Sequence, residues 1–429
     1  MALGRGYKQT EVGMIPEDWR CTTVSGIASP IRNAVVGGPF GSNLVSTDYV
    51  GDGVPVIRGQ NLSSRYVSGP FVFVTREKAD SLAGNLAYPG DLIFTQRGTL
   101  GQVSILPDRP YDCYLVSQSQ MKVTVNDKIA NQTFLYYVFN SSYHQSLFHL
   151  NTIQTGVPHI NLGILRSIPV QLPPLPEQQA IAAALSDVDA LLASLDALIA
   201  KKRLILQGAM QELLTGRRRL PGFSGEWGIK ALGEIGECIR GVSYNGDVDL
   251  FPYDTEASIR LLRSNNVQNA LVVLDDIQFV YHVRVSEKQL LCPGDILICM
   301  ANGSKELVGK AGWFNVDDGL RYTFGAFMGC FRIEISETDP YFVFYNFQTS
   351  KYRNCILNLL TGSSINNLRP DVIEAISIPF PSLKEQSAIA SILSDMDAEI
   401  HTLEQRRDKT RQIKQGMMQE LLSGRTRLV

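Results

Sequence analysis

The sequence predicts an α+β protein: two globular domains of mixed sheet and helix, separated by two long antiparallel helices that form a coiled coil, with an internal pseudo-twofold repeat. Three observations carry this expectation. One helix-forming segment recurs 208 residues further along the chain. The stretch before each copy mixes short β-branched runs with aromatic, helix-spaced ones. The chain also has 429 residues, too many for one hydrophobic core.

The repeat fixes the organisation, because internal self-similarity constrains architecture before any single element does. Residues 172–220 read LPPLPEQQAIAAALSDVDALLASLDALIAKKRLILQGAMQELLTGRRRL, and residues 380–428 read FPSLKEQSAIASILSDMDAEIHTLEQRRDKTRQIKQGMMQELLSGRTRL. Aligned without a gap, 27 of these 49 positions are identical. The expected division is therefore a first domain over 1–171, a first helix segment over 172–220, a second domain over 221–379 and a second helix segment over 380–429.

Each segment reads as one long helix. Pro174 and Pro176 sit where proline is tolerated, at the first turn. Gly216 and Gly424 stand where a left-handed residue would end the helix. Ile181, Leu185, Val188, Leu192, Leu195, Ile199, Leu206 and Leu213 follow steps of four and three, a heptad seam on which Lys202 is the one charged member. The second copy keeps Ile389, Leu393, Met396, Ile400 and Leu403, then turns polar at Arg407, Thr410 and Lys414; Leu421 stands where Leu213 does. About 38 residues at ~1.5 Å each give a rod of roughly 57 Å. Gly208 and Gly416 lie inside the helices, where glycine costs about 1 kcal/mol relative to alanine. Close helix contact, a docking point for a partner and inheritance from the duplication all account for them.

The globular segments are weaker copies of each other. Trp19 matches Trp227, Arg58-Gly-Gln-Asn61 matches Arg263-Ser-Asn-Asn266, Pro89-Gly-Asp91 matches Pro293-Gly-Asp295, and Thr155-Gly156 matches Thr361-Gly362. VPVIRGQNL, GPFVFV, DLIFTQ, DDIQFVYHV and DILICM read as strands. FLYYVFNSSYHQSLF and PYFVFYNFQTSKYRNCIL read as helical. Between these landmarks the loops diverge almost completely. A repeated framework with rewritten loops suits two copies of one reader for two ligands, and drift after duplication suits it equally.

Bulk properties exclude several classes. The composition, 44% hydrophobic and 19% charged, is that of an ordinary globular protein. No apolar run is long enough for a membrane span, and the N-terminus lacks an apolar signal core. Seven cysteines form no Cys-x-x-Cys pair, so a disulfide framework or zinc site is not expected and a reducing cytoplasm is. The net charge of -2 gives no basic footprint. Residues 1–171 carry 13 Lys/Arg against 11 Asp/Glu, while 221–379 carry 13 against 19.

At these residues the chain resembles the specificity subunit of Type I restriction–modification systems. The resemblance rests on YKQTEVGMIPEDW at 7–19, PLPEQQAIAAALSDVDALL at 174–192, QGAMQELLTGRRRLPGF at 207–223 and their second copies, and it covers essentially the whole chain. It implies that each globular domain is a target-recognition domain reading one part of a split site in double-stranded DNA. It implies that the paired helices hold the spacing and dock two adenine-N6 methyltransferase subunits, with restriction/translocase subunits joining that core. S-adenosylmethionine and ATP/Mg are then expected on the partner subunits and no cofactor in this chain. Two rivals stay open: the specificity chain of a related enzyme cutting on both sides of its site, and a scaffold binding protein, not DNA.

Catalysis by this chain is not expected. The nearest string to an (Asp/Asn)-Pro-Pro-(Tyr/Phe) methyltransferase loop, Asp339-Pro340-Tyr341, is one proline short. No (Asp/Glu)-x-Lys pair of a metal-dependent nuclease occurs, and Gly303 to Lys310 is one residue too long for a phosphate loop. Arg and Lys suit guanine, and Asn and Gln suit adenine. The candidate base readers are accordingly Arg58, Gln60, Asn61, Arg65, Gln96, Arg97 and Thr99 in the first domain. In the second they are Arg263, Asn265, Asn266, Asn302, Ser304, Lys305 and Lys310. Because Arg58/Asn61 and Arg263/Asn266 recur, a framework or phosphate role competes with base reading there. Arg217, Arg218, Arg219, Arg425 and Arg427 leave two roles open, a phosphate contact or closure of a helix end. The candidate spacer and docking positions are Leu185, Leu192, Leu195, Gly208, Leu213, Leu393, Ile400, Leu403, Gly416 and Leu421.

Overall fold

A computed structural model describes residues 6–154, 156–361 and 366–428; Thr155 and Gly362, two of the matched landmarks, lie outside them. The chain forms two compact units, one of residues 1–195 with 406–429 and one of residues 196–405. Each unit holds one globular domain and a stretch of both long helices, which span Leu175–Leu213 and Leu383–Leu422.

The two domains share one plan. In the first, a four-stranded antiparallel sheet runs in the order Val103–Ile105, Leu92–Thr95, Gln120–Val123, Val35–Gly37. In the second, Ala311–Trp313, Ile296–Cys299, Met328–Ile333 and Gly236–Arg240 follow each other in the same order. Each domain adds a second sheet built on one parallel pair, Val54–Ile57 with Tyr114–Val116 and Ser258–Leu262 with Tyr322–Phe324. The predicted strands all form, although VPVIRGQNL is a strand only as far as Ile57 and then a 3-10 turn over Gly59–Leu62. The aromatic segments are helical but broken at matching places, between Phe139 and Ser142 and between Asn346 and Ser350. Ser141 and Thr349 cap the following turn by accepting from His144 N and Tyr352 N.

The repeated Pro-Gly-Asp has a structural cause. Asp91 accepts from Tyr88 N at 2.9 Å and pairs with Lys122 at 3.4 Å, both side chains buried. Asp295 accepts from Cys292 N at 2.8 Å and pairs with Arg332 at 2.6 Å. The turn and its cation are kept, although the cation has moved along the strand and is only part-buried in the second domain.

The ends of each domain are zipped together before the helices leave. Arg20–Thr23 pairs antiparallel with Pro169–Leu172, and Gly228–Ala231 with Ser377–Phe380. Each core is then completed by both helices. Ile181, Leu185, Leu421 and Leu422 join the core of the first domain; Met210, Leu213, Leu214, Ile389 and Leu393 join that of the second. Within each unit the helices pair antiparallel. Asp189 meets Lys414 at 2.6 Å in one, and Lys202 meets Glu399 at 2.8 Å in the other. The heptad seam is real: Leu185, Leu195, Ile199, Leu213, Leu393, Ile400 and Leu421 are buried, and Val188, Leu192 and Leu403 partly so. Thr410, in the polar part of the seam, is buried and donates its hydroxyl to Arg406 O at 2.7 Å.

Each helix ends on a clamp. Gly424 is left-handed at φ +72, and a Cβ there would meet Pro16 at 2.5 Å; Gly216, at φ +71, lies against Trp227, which a Cβ would meet less closely, at 3.3 Å. Three residues beyond each glycine, the chain returns to a buried glutamate. Arg427 donates Nε and one terminal nitrogen to Glu177 at 2.6 and 2.8 Å, and Trp19 Nε1 donates to the same carboxylate at 3.1 Å. Arg219 and Trp227 treat Glu385 identically, at 2.6, 2.8 and 3.0 Å. Of the two roles left open for these arginines, Arg219 and Arg427 therefore close helix ends, and their forks are not available for a phosphate. Arg427→Ala strands a fully buried carboxylate and is expected to destabilise the first unit by about 3 kcal/mol. The double variant with Glu177→Gln should recover most of that loss. Denaturant unfolding of the three variants checks this; equal losses for Arg427→Ala and the double variant would refute it.

Candidate nucleic-acid interface

In each domain four loops leave the strands at one end and are tied to one another by matching backbone bonds. In the first domain Gly38 N donates to Gln120 O (3.0 Å), Ser117 N to Ile57 O (3.2 Å) and Gln96 N to Ser119 O (2.7 Å). In the second, Gly241 N donates to Met328 O (3.1 Å), Gly325 N to Leu262 O (3.0 Å) and Met300 N to Phe327 O (2.8 Å). These loops in the second domain line an open cleft of about 1040 Å³ whose walls carry Tyr244, Arg263, Asn265, Asn302, Phe327 and Asn366. Backbone frame and loop direction are common property; side chains at the tips are not.

The matched Arg-x-x-Asn motif builds one wall. Arg58 N and Arg263 N donate to Asn61 Oδ1 and Asn266 Oδ1 at 2.9 and 2.8 Å, closing a tight turn. The amide nitrogen of Asn61 donates to Ser68 O and Pro70 O, and that of Asn266 to Val273 O and Asp275 O. Both asparagines are fully buried. This corrects their place among the base readers: their hydrogen-bonding capacity is spent on the frame. The arginines differ between domains. Arg263 is held by Asp276, whose carboxylate and carbonyl accept at 2.8 and 3.0 Å and which also accepts from Asn265 at 3.2 Å. Arg58 has no such clamp; its Nε is buried and unpartnered, as is that of Arg263.

Arg65 is a second correction. Its guanidinium turns away from the loop end, donating to Ser186 Oγ at 2.9 Å and Thr133 Oγ1 at 3.1 Å. There it joins Tyr137, whose hydroxyl donates to Asp189 at 2.7 Å, so it ties the domain to its helix. Burial and the Asp189 carboxylate push the Tyr137 phenol up, so it stays a donor. The second domain has Ala270 and Leu206 in place of Arg65 and Lys414. Burial, with Glu404 nearby, accordingly raises the Asp397 carboxyl.

The other candidates divide. Gln60, Arg97 and Thr99 are exposed and Gln96 half-exposed on the converging loops. Ser304 and Lys305 are exposed on the loop after Asn302, whose Oδ1 accepts from Ser304 N. Lys310 leads into strand Ala311–Trp313 and is not among the cleft-lining residues. On the helices, Leu185, Leu195, Leu213, Leu393, Ile400 and Leu421 are buried within the chain and Leu192 and Leu403 partly so, which leaves them to the seam instead of a partner. Gly208 and Gly416 have no atom within 4 Å of a notional Cβ, so close helix contact is not their reason. Residues that sequence reasoning missed are aromatic: Phe40 is 82% exposed and Phe327 70%. Their only advance signal is a large apolar side chain in a glycine-flanked turn.

Among the described residues no group of three or more His, Cys, Asp or Glu is placed to hold a metal ion, and no helix is long and apolar enough to cross a membrane. The two domains repeat one frame of converging loops, which in the second lines a cleft. The family model of the Type I restriction modification DNA specificity domain matches residues 48–201 and 224–414, and the chain belongs to that family.

Among curated relatives, it is 34% identical over 197 residues to the Type I restriction enzyme StySPI specificity subunit of Salmonella potsdam, spanning 46% of this chain and 42% of that one. It thus aligns with less than half of that relative's length. It is 23% identical over 441 residues to the MjaVIII specificity subunit of Methanocaldococcus jannaschii, covering 98% and 96% of the two chains. Its fold is like that of the Type I restriction–modification S subunit of M. genitalium, with TM-score 0.58, 15% identity and 98% of both chains covered. A chain from the study of assembly and conformational transition of the type I R-M system gives TM-score 0.59 at 17% identity, covering 96% and 99%.

Arg65→Ala is expected to lower the stability of the first unit by about 1–2 kcal/mol, through the lost hydrogen bonds to Ser186, Thr133 and Tyr137, and to leave the recognised DNA sequence unchanged. Unfolding curves and methylation mapping read the two effects separately; a changed recognition sequence would restore Arg65 to the DNA interface.

Proposed function

We propose that this chain is the DNA-binding subunit of a Type I restriction–modification enzyme, reading a split site with one domain per half. The reading is carried by one observation: the same four loops converge in each domain on the same backbone bonds, while their tip residues differ. Gln60 stands where the second domain has Asn265, and Ser119 where it has Phe327. Equal frames with unequal tips suit two unlike half-sites. The candidate contacts are then Arg58, Gln60, Gln96, Arg97 and Thr99 in the first domain, and Arg263, Asn265, Asn302, Ser304 and Lys305 in the second. The helices act as the spacer, in chain order domain, helix, domain, helix over 1–171, 172–220, 221–379 and 380–429.

Partner docking follows from a set of positions that the repeat keeps on the outer side of the helices, of which Glu420 also pairs with Arg425. Lys201, Ile205, Gly208 and Glu212 recur as Lys409, Ile413, Gly416 and Glu420. Steps of four, three and four put each set on one helix face. Ile205 is 46% and Ile413 51% exposed, and the glycines touch nothing. Two identical outward patches suit two copies of one partner, the adenine-N6 methyltransferase subunit, which carries S-adenosylmethionine. Restriction/translocase subunits bring ATP and Mg. This chain contributes recognition, and the work takes place in the cytoplasm.

Inserting a helical turn into both long helices should change the preferred spacing of the methylated site and leave both half-sites as they were; adenine-methylation mapping with and without the insertion reads this. Fixed spacing would sink the ruler, and no methylation dependent on the chain would leave the scaffold rival standing. Ile205→Glu and Ile413→Glu should each weaken the binding of one methyltransferase copy at least tenfold, about 1.4 kcal/mol. Light scattering should then give one bound partner for each single variant and none for the double. Two partners on every variant would place the docking surface elsewhere.

A further inference from the structure

We propose that Phe327 reads a thymine in the half-site of the second domain by covering the thymine 5-methyl group with its ring. The inference rests on the proposed DNA-reading role of the cleft and names what one of its residues recognises. Phe327 is 70% exposed although it is among the largest apolar side chains of the domain. Its position is not loose. The Phe327 carbonyl accepts from Met300 N at 2.8 Å and Ala301 N at 3.0 Å, which pins the turn between strands Tyr322–Phe324 and Met328–Ile333. The ring therefore projects from a fixed turn into the cleft, beside Arg263, Asn265 and Asn302.

Those neighbours are hydrogen-bonding groups, and Arg263 is already oriented by Asp276. Among base edges in the major groove the one apolar group that stands out from the edge is the C5-methyl of thymine, where cytosine has only a C5–H. An apolar ring set among polar readers has that one complement. The first domain makes the same turn with Ser119, whose carbonyl accepts from Gln96 N at 2.7 Å and Arg97 N at 3.3 Å. The frame is shared and the ring is not, so this thymine contact belongs to one half-site.

The test uses the full chain with its methyltransferase partner and a duplex carrying the mapped split site. Each thymine is replaced in turn by deoxyuridine, which removes only the methyl. At one position of one half-site the wild-type complex should bind about fourfold more weakly, the loss expected for one methyl-sized apolar contact. Phe327→Ser should bind the thymine and deoxyuridine duplexes equally. Equal losses for wild type and Phe327→Ser at every position overturn the proposal, as does a half-site without a T·A pair. Brightening of 2-aminopurine beside the site in wild type but not in Phe327→Ser also overturns it, because the ring would then be inserted between bases. Arg263→Ala separates the two levels of the argument. If it weakens binding while Phe327 shows no coupling to a methyl, only the thymine assignment fails; if it changes nothing, the reading of the cleft itself fails.

Discussion

The fold depends on a pair of buried glutamates, each closed by an arginine that lies far from it in sequence. Glu177 and Glu385 open the two long helices, and both side chains are almost wholly removed from water. A carboxylate in that position is costly unless its oxygens are filled. The tryptophan at the head of each domain fills part of the need, and the arginine beyond the end of the other helix fills the rest. Glu177 takes Arg427 and Glu385 takes Arg219. Each unit is thus completed only when a remote piece of chain arrives, and the bidentate geometry leaves little freedom in how it arrives. Each arginine also lies over the tryptophan ring, with centroid distances of 5.8 and 5.4 Å, so the charge is covered on its open side.

That closure explains why the repeat is so unevenly kept. Positions identical in both copies include the glutamates, the glutamines beside them, the left-handed glycines and the closing arginines. Gln178 and Gln386 each serve a backbone N–H and carbonyl of their own domain, at Asn131 and Pro173 in one and Asp339 and Pro381 in the other. A substitution at the glutamates, glutamines or arginines leaves a buried polar group unmatched, and one at the glycines strains a left-handed backbone. Positions on the loop tips face no such demand. Change there costs the frame little, which is the physical condition for two domains of one plan to acquire different ligands.

Much of the fold was legible because its signals are local. The heptad steps, the helix-ending glycines and the Pro-Gly-Asp turns depend on residues within one or two turns of each other, and all are found in the structure. The interface was legible only in part. Asn61 looked like a reader by residue type, whereas its burial depends on carbonyls of Ser68 and Pro70 that no local pattern announces; its exact recurrence as Asn266 was the better clue, pointing to framework. Arg65 was misplaced because its partner Ser186 lies 121 residues away. Phe327 was missed because a search for hydrogen-bonding types cannot find an apolar reader.

The acidic balance of the second domain is partly spent inside it. Several of its carboxylates are occupied within the domain: Asp249 by Arg284, Asp254 by Arg260, Asp295 by Arg332 and Asp276 by Arg263. Net charge therefore describes how the domain is stapled, and says little of what its cleft faces. Asp276 joins the two subjects, since it neutralises part of the cleft and at the same time holds an arginine fork in place. A guanidinium held at two points in this way has its remaining donor directions fixed. The first domain has no acidic partner on Arg58, so the two matched arginines differ in how firmly they are held.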